Sequence, residues 1–170
     1  MSCKSTWRER PLPLSKSDVT PNEDFSPEEL LYRRVRSCDL VGGELSPTSL
    51  NSLSFSAGIG GAPSVLRSRI SEPSDALHPD CCGGRELSGY LVYSMQVQQI
   101  PGRIDSDGGD AYVFYPVHRP EPACGAHSVI ASSLAGDAES KYAVPPRNVR
   151  NKLRSQLVRV LTRTDIASES

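Results

Sequence analysis

An alternating segment in the second half of the chain constrains the fold more than any other feature. Residues 91–98 alternate between two sets. One set is apolar, Leu91, Tyr93, Met95 and Val97, and the other is mostly polar, Val92, Ser94, Gln96 and Gln98. Successive side chains of a strand point to opposite faces, so a period of two predicts a strand with one buried face. Such a strand needs partners, because its backbone groups require hydrogen bonds. The chain is therefore expected to fold around a sheet.

Two further segments are predicted to be strands. AYVFYPV at 111–117 is rich in β-branched and aromatic residues and follows the turn-rich IDSDGGD. It is expected to form a hairpin with the 91–98 strand across that long loop. PSVLRSRI at 63–70 alternates apolar and basic residues, which predicts a half-exposed strand with Arg67 and Arg69 in solvent.

Helix signals occur near the start of the chain and in its middle. Ser26 suits an N-cap, Pro27 suits the first helical position, and Glu29 completes a capping box. These residues predict a short helix leading into LLYRRV, although the apolar residues of LLYRRV equally fit the start of a strand. AHSVIASSL at 126–134 is predicted to be a second short helix.

The last predicted element is a basic amphipathic helix over residues 147–163, RNVRNKLRSQLVRVLTR. Its apolar residues recur at helical spacing and line one face: Val149, Leu153, Leu157, Val160 and Leu161. The segment holds six basic residues and no acidic one, whereas the whole chain has a net charge of -1. We therefore expect its cations to bind a partner, and the candidate residues are Arg147, Arg150, Lys152, Arg154 and Arg159.

Together these elements predict the α+β class: a small antiparallel sheet, short helices and a C-terminal amphipathic helix. Residues 1–24 combine prolines with charges of both signs and are expected to form a disordered tail. Residues 25–164 are expected to form a single domain, and residues 165–170 a polar tail. Basic residues near the start lack an apolar run behind them, so neither secretion nor membrane anchoring is expected. A cytoplasmic location follows.

The cysteines do not form a regular framework. There are five of them, an odd number with uneven spacing: Cys3, Cys38, Cys81, Cys82 and Cys124. This usage differs from that of disulfide-rich secreted domains, so free thiols are expected.

Two short segments could together supply the ligands of a zinc ion. His78 and Cys81 stand in HPDC, and Cys124 and His127 stand in CGAH. Two imidazoles and two thiolates suit tetrahedral Zn²⁺, but the gap between the segments is far longer than in compact zinc modules. We expect no metal and keep a zinc-stabilised module as an alternative. His127 is also a candidate catalytic base for a Cys124 nucleophile, without an identifiable third group.

A pair of motifs resembles those of the arginine-serine-glutamate ADP-ribosyltransferases and related NAD-degrading toxins. LLYRRV at 30–35 resembles the first motif, and LSFSAG at 53–58 resembles the second. The resemblance implies that NAD is used and that Arg33 or Arg34 holds its phosphate. It also implies that a serine supports the ribose, and the candidates are Ser54 and Ser56. A later glutamate is expected to be catalytic, and the candidates are Glu121 and Glu139.

A broader resemblance, carried by YRRV, PSVLRSRI and AHSVI, is to small uncharacterised bacterial proteins, and it implies a bacterial source without a mechanism. No complete catalytic set can be assembled from the residues alone. We therefore expect a non-catalytic accessory module that binds another protein through the C-terminal helix, with nucleic acid as a further possible partner and no membrane. An NAD-using enzyme with Arg33, Ser56 or His127 in its active site is the first alternative.

Overall fold

The computed structural model describes residues 25–51, 55, 62–82, 84, 87–136 and 142–166. Within these residues the chain forms a seven-stranded antiparallel sheet, one α-helix and several 3-10 turns. This architecture belongs to the α+β class, as predicted. The expected N-terminal tail, residues 1–24, lies outside the described residues, as do residues 167–170 of the expected C-terminal tail.

Seven strands form the sheet: β1 Leu30–Arg36, β2 Ser64–Arg67, β3 Tyr90–Gln96, β4 Arg103–Asp105, β5 Ala111–His118, β6 His127–Leu134 and β7 Thr162–Thr164. Their order in space is β4-β5-β6-β2-β1-β3-β7. The helix, α1, spans Arg147–Val160, and the 3-10 turns are Ser37–Asp39, Pro47–Leu50, Pro73–Leu77, Pro79–Cys82 and Val97–Gln99. Strands β1 and β2 therefore lie near the centre of the sheet.

The alternating segment does form a strand, but its partners are not the expected ones. β3 pairs with β1 along its whole length and with β7 on its other edge. β5 pairs instead with β4, across the turn that contains Asp107, and with β6. The predicted hairpin between 91–98 and 111–117 is therefore wrong, because the intervening residues contain a strand of their own.

The prediction of a helix at 126–134 is also wrong, since His127–Leu134 is strand β6. All but the last of its residues are buried. A strand that is covered on both faces has a continuous apolar and small-residue sequence, which lacks the period of two. Its buried serine hydroxyls are hydrogen-bonded within the protein: Ser128 donates to the Ala126 carbonyl, and Ser132 donates to the Ala143 carbonyl.

No helix forms at the capping-box residues near the start of the chain. A turn links them, in which the Glu29 amide donates to the Ser26 carbonyl at 3.0 Å. The Ser26 hydroxyl donates to the Glu28 carboxylate rather than capping a helix. LLYRRV then enters the sheet as β1, so the strand alternative was correct. Sheet pairing on both sides of β1 prevails over the local helix signal.

The strand prediction for 63–70 holds for Ser64–Arg67, but the expected exposure of Arg67 is wrong. Its side chain is 1% exposed and pairs with Glu29, whose side chain is 5% exposed. The guanidinium also lies 4.1 Å from the centre of the Phe25 ring. An arginine in a strand is thus part of the interior, because a carboxylate and an aromatic face surround it.

The two faces of the sheet are covered differently. Helix α1 lies on one face, where Val149, Leu153 and Leu157 are buried in the largest apolar cluster with Leu31 and Phe114. The opposite face carries two smaller apolar clusters, formed by different residues. The candidate site lies on this second face. Across the described residues, no helix is long and apolar enough to cross a membrane.

Candidate functional site

A pocket of about 250 Å³ opens on the face of the sheet opposite α1. Its floor comes from β1, β2 and the start of β6, and its walls from the Pro73–Leu77 and Pro79–Cys82 turns and the 119–126 loop. The chemically active residues that line it are Tyr32, Arg34, Ser64, Cys82, Glu121 and His127. The pocket thus gathers residues from four distant parts of the chain.

Strand alternation separates the two candidate arginines of β1. Arg34 pairs across the sheet with Val92, which belongs to an apolar cluster of the pocket face. Arg33 pairs with Tyr93, which packs in the cluster beneath α1. Adjacent residues of a strand point to opposite faces, so Arg34 lines the pocket and Arg33 does not.

Arg33 nevertheless has a defined structural role. Its Nη1 donates to the Ser64 carbonyl at 2.6 Å, which links β1 to β2 from the helix side. Burial and, to a smaller extent, the positive charge of Arg34 together lower the pKa of Arg33 to about 10. The side chain still remains a cation at neutral pH.

Arg34 is held in the pocket by one of its nitrogens. Nη1 donates to the carbonyls of Ala76 and Cys81 at 3.3 and 3.2 Å and to the Cys82 sulfur at 3.1 Å. Among the described residues, no partner bonds to Nε or Nη2 of this guanidinium. A fixed guanidinium with free donors is suited to an anion, above all to phosphate or carboxylate oxygens.

His127 bridges two groups across the pocket floor. Its Nδ1 lies 2.7 Å from the Arg119 carbonyl, and its Nε2 lies 3.1 Å from the Ser64 hydroxyl oxygen. A carbonyl only accepts hydrogen bonds, so Nδ1 carries the proton in the neutral ring and Nε2 accepts from Ser64. Ser64 and His127 can meet because Leu66, two residues after Ser64, pairs with His127.

The environment of His127 favours its neutral form. Burial lowers the pKa of His127 most strongly, and the charges of Arg119 and Arg34 act in the same direction. The Arg119 carbonyl and the Glu121 carboxylate oppose this shift, the latter lying 3.6 Å from Nδ1. Because burial prevails, Nε2 keeps its lone pair at neutral pH.

A disulfide between Cys81 and Cys124 borders the pocket, contrary to the expectation of free thiols. Disulfide sulfurs are not thiolate ligands, so the proposed zinc set of His78, Cys81, Cys124 and His127 is wrong. No group of three potential metal ligands occurs among the described residues. Cys124 is also not a free nucleophile for His127. Within the described part of the chain, Cys38 and Cys82 are not joined in a disulfide.

No family model, no curated protein and no solved structure matches this chain. The case for a function therefore depends on the pocket and on the residues that line it.

Some of the predicted site residues meet in the pocket. Arg34, His127 and Glu121 line it, whereas Ser54, Ser56 and Glu139 lie outside the described residues. Ser64 was missed. The only signal for it was its position at the start of a predicted strand, behind a glycine-rich segment.

The candidate partner-binding residues of α1 lie on the other side of the molecule. Arg147 and Arg159 are exposed, while Arg150 and Arg154 are half-buried. Lys152 is exposed but engaged, since its Nζ donates to the Asp107 carboxylate at 2.8 Å. Partial burial and the charges of Arg150 and Arg147 lower the pKa of Arg154. These arginines therefore form a crowded cationic patch.

Proposed function

We propose that the pocket is an active site that binds the nicotinamide end of NAD and cleaves the bond between nicotinamide and ribose. The observation that carries the proposal is the meeting of Arg34, Ser64 and Glu121 around one cavity. The resemblance to ADP-ribosyltransferases implies an arginine on the first strand, a serine on the second and a later glutamate. Two departures remain: the serine is not Ser54 or Ser56, and Glu121 lies in a loop after β5.

The chemistry of the pocket supports this proposal. Arg34 has guanidinium donors available for the phosphate nearest the nicotinamide ribose. When the bond from the ribose carbon to nicotinamide breaks, both electrons leave with nicotinamide and the ribose becomes positively charged. The Glu121 carboxylate is available to stabilise that charge, as carboxylates do in glycoside hydrolysis. Water then bonds to the ribose carbon and releases a proton.

The size of the pocket limits which part of the ligand it holds. A volume of about 250 Å³ lies slightly below the roughly 300–1,000 Å³ of pockets for drug-sized ligands. One end of a dinucleotide fits such a space, and the adenine end would lie outside it. Tyr32 is 7% exposed and lines the pocket, where its ring offers an aromatic surface for the nicotinamide ring.

The neighbouring arginines of β1 provide a matched test. Purified protein is incubated with millimolar NAD, and released nicotinamide is measured by chromatography. Arg34→Lys keeps the charge but loses the bidentate hydrogen-bond donors of the guanidinium. We therefore expect the KM for NAD to rise about tenfold, the equivalent of about 1.4 kcal/mol. Arg33→Lys, on the other face, should leave the KM unchanged. Glu121→Gln should lower kcat and leave the KM within about twofold.

The proposal fails if the wild-type protein releases no nicotinamide and shows no heat of NAD binding by calorimetry. It also fails if Arg33→Lys and Arg34→Lys raise the KM equally, since the pocket would then not be the binding site.

A second candidate function is the binding of an acidic protein partner by the basic residues of α1. The observation that favours it is the crowding of Arg147, Arg150 and Arg154, whose mutual repulsion an anionic partner would relieve. The apolar side of the helix is not available to a partner, because Val149, Leu153 and Leu157 are buried. A cytoplasmic and bacterial setting remains part of this proposal.

A further inference from the structure

The geometry around Ser64 points to a second activity of the pocket, which does not depend on NAD. We propose that Ser64 is a nucleophile activated by His127 and that the pocket hydrolyses short carboxylic esters bearing a negative charge. The observation behind this inference is the hydrogen bond between Ser64 Oγ and His127 Nε2 at 3.1 Å on the pocket floor. Nucleophile and base within this distance are the first requirement of acyl transfer.

The direction of that hydrogen bond is fixed by the other ring nitrogen. Nδ1 lies 2.7 Å from the Arg119 carbonyl, which has no proton to donate. The neutral ring therefore donates from Nδ1 and presents the lone pair of Nε2 to the serine hydroxyl. This is the tautomer that a general base needs in order to remove a serine proton.

The base is also held in place by its backbone. The Arg119 amide donates to the His127 carbonyl at 3.0 Å, and the His127 amide donates to the Cys124 carbonyl at 3.1 Å. Glu121 lies 3.6 Å from Nδ1, so a carboxylate is present to stabilise the imidazolium that forms when the serine is deprotonated. Nucleophile, base and orienting groups are thus all supplied by described residues.

The lining of the pocket defines the class of ester. Arg34 contributes a cation with donors that no described residue occupies, which favours an ester with a carboxylate or phosphate group. Leu66 and Ala76 add apolar surface for an acyl chain. A volume of about 250 Å³ limits that chain to a few carbons.

The reaction balances without a cofactor. Ser64 Oγ bonds to the ester carbonyl carbon while its proton passes to His127 Nε2. The bond from that carbon to the alcohol oxygen breaks, and the alcohol leaves with the proton from Nε2. Water then attacks the acyl-serine in the same way, which releases the carboxylic acid and restores both residues.

A fluorophosphonate probe tests the nucleophile directly, because it phosphonylates activated serines. Peptide mass spectrometry after labelling should find the adduct on Ser64 in the wild-type protein and none in Ser64→Ala. His127→Gln should slow labelling at least a hundredfold, since a general base contributes about 10² to 10⁴ in rate. Ser128→Ala is the control. Ser128 pairs with Val65 and lies on the face of the sheet that carries α1, so this variant should label at the wild-type rate.

Ester turnover provides the second measurement. The protein should hydrolyse p-nitrophenyl succinate faster than p-nitrophenyl acetate, and Arg34→Lys should reduce that preference. Circular dichroism melting of each variant separates loss of folding from loss of chemistry. The absence of a Ser64 adduct, or equal labelling of wild type and His127→Gln, would show that the hydrogen bond is only structural. No NAD is present in these assays, so failure of one proposal leaves the other standing.

Discussion

Glu29 and Arg67 form a bidentate ion pair in the interior, with Nε and Nη2 each 2.9 Å from a carboxylate oxygen. The Glu29 carboxylate also accepts a hydrogen bond from the Arg69 amide. Glu29 precedes β1, and Arg67 ends β2, so the pair joins the entry of one central strand to the exit of its neighbour. Because the pocket floor is built on these two strands, the pair supports the site from a distance.

Replacing Glu29 by Gln should therefore destabilise the protein strongly. The change removes the Glu29 charge from the buried ion pair, and breaking a buried pair at one partner typically costs about 3–5 kcal/mol. Chemical denaturation of the variant would measure the loss. Glu28→Gln is the matched control, since Glu28 is exposed, and it should change the free energy of unfolding by about half a kcal/mol or less. Equal stability of the two variants would contradict a structural role for the pair.

The same two residues show where prediction from sequence failed. Ser26, Pro27 and Glu29 carry the local pattern of a helix start, yet Glu29 is bound by an arginine 38 positions away. Local propensity is a weak influence, and pairing within a sheet readily overrides it. The prediction of a helix in place of strand β6 was wrong for a related reason. Periodicity does not distinguish a short apolar strand that is buried on both faces from a helix.

Elements with a strong period were predicted correctly. β3 has a clear period of two and was found with nearly correct ends. The helix begins at the predicted Arg147 but ends at Val160 instead of residue 163, because Thr162–Thr164 pair with β3 as strand β7. The site was predictable only in parts. Ser64 and His127 are 63 residues apart and meet because β2 pairs with β6, a strand order that no local pattern encodes.

The disulfide gives a second prediction. It joins the Pro79–Cys82 turn to the loop that carries Glu121, across a separation of 43 residues. Removing it with Cys81→Ser and Cys124→Ser should lower the free energy of unfolding by about 2–4 kcal/mol. Cys38→Ser should have little effect, because Cys38 is an exposed free thiol.

Thiol titration of the denatured protein provides an independent check of the disulfide. Two more thiols should react after reduction than before it. An equal count in both conditions would mean that Cys81 and Cys124 are not joined. A persistent disulfide would count against the proposed cytoplasmic setting, because structural disulfides persist in oxidising compartments.

A third prediction concerns pH. Burial lowers the pKa of His127 in the folded protein, despite Glu121 and the Arg119 carbonyl, while the unfolded value stays near 6.5. The unfolded state thus binds the proton more readily, and stability that is complete above about pH 6.5 is lost as pH falls below it. Melting temperatures from pH 8 to 5 should show a smaller decline for His127→Gln than for the wild type. His118→Gln, outside the pocket lining, should retain the full decline.

Helix α1 gives a fourth prediction, which concerns the core. Leu153 and Leu157 are each 1% exposed in the cluster between the helix and the sheet. Replacing both by Ala should cost roughly 4 kcal/mol or more, because each buried Leu→Ala change costs about 2–5 kcal/mol. Denaturant titration would measure this. Ser155→Ala, on the exposed side of the same helix, should leave stability almost unchanged, and a similarly small effect of the leucine changes would contradict their burial.

The last prediction tests the cationic patch of α1 as a binding surface. Arg150→Glu with Arg154→Glu reverses two of the three crowded charges, and it should weaken binding of a fluorescent polyglutamate peptide at low salt, where screening is least. Fluorescence anisotropy at several salt concentrations would measure the affinity, and a single-stranded oligonucleotide as the second probe would distinguish an acidic protein from nucleic acid as the partner. Arg103→Glu is a suitable control, because Arg103 is an exposed cation of β4, paired with Asp105 and outside the patch. If the doubly reversed protein binds the peptide as tightly as Arg103→Glu does, the patch is an ordinary solvated surface and the pocket remains the only proposed site of function.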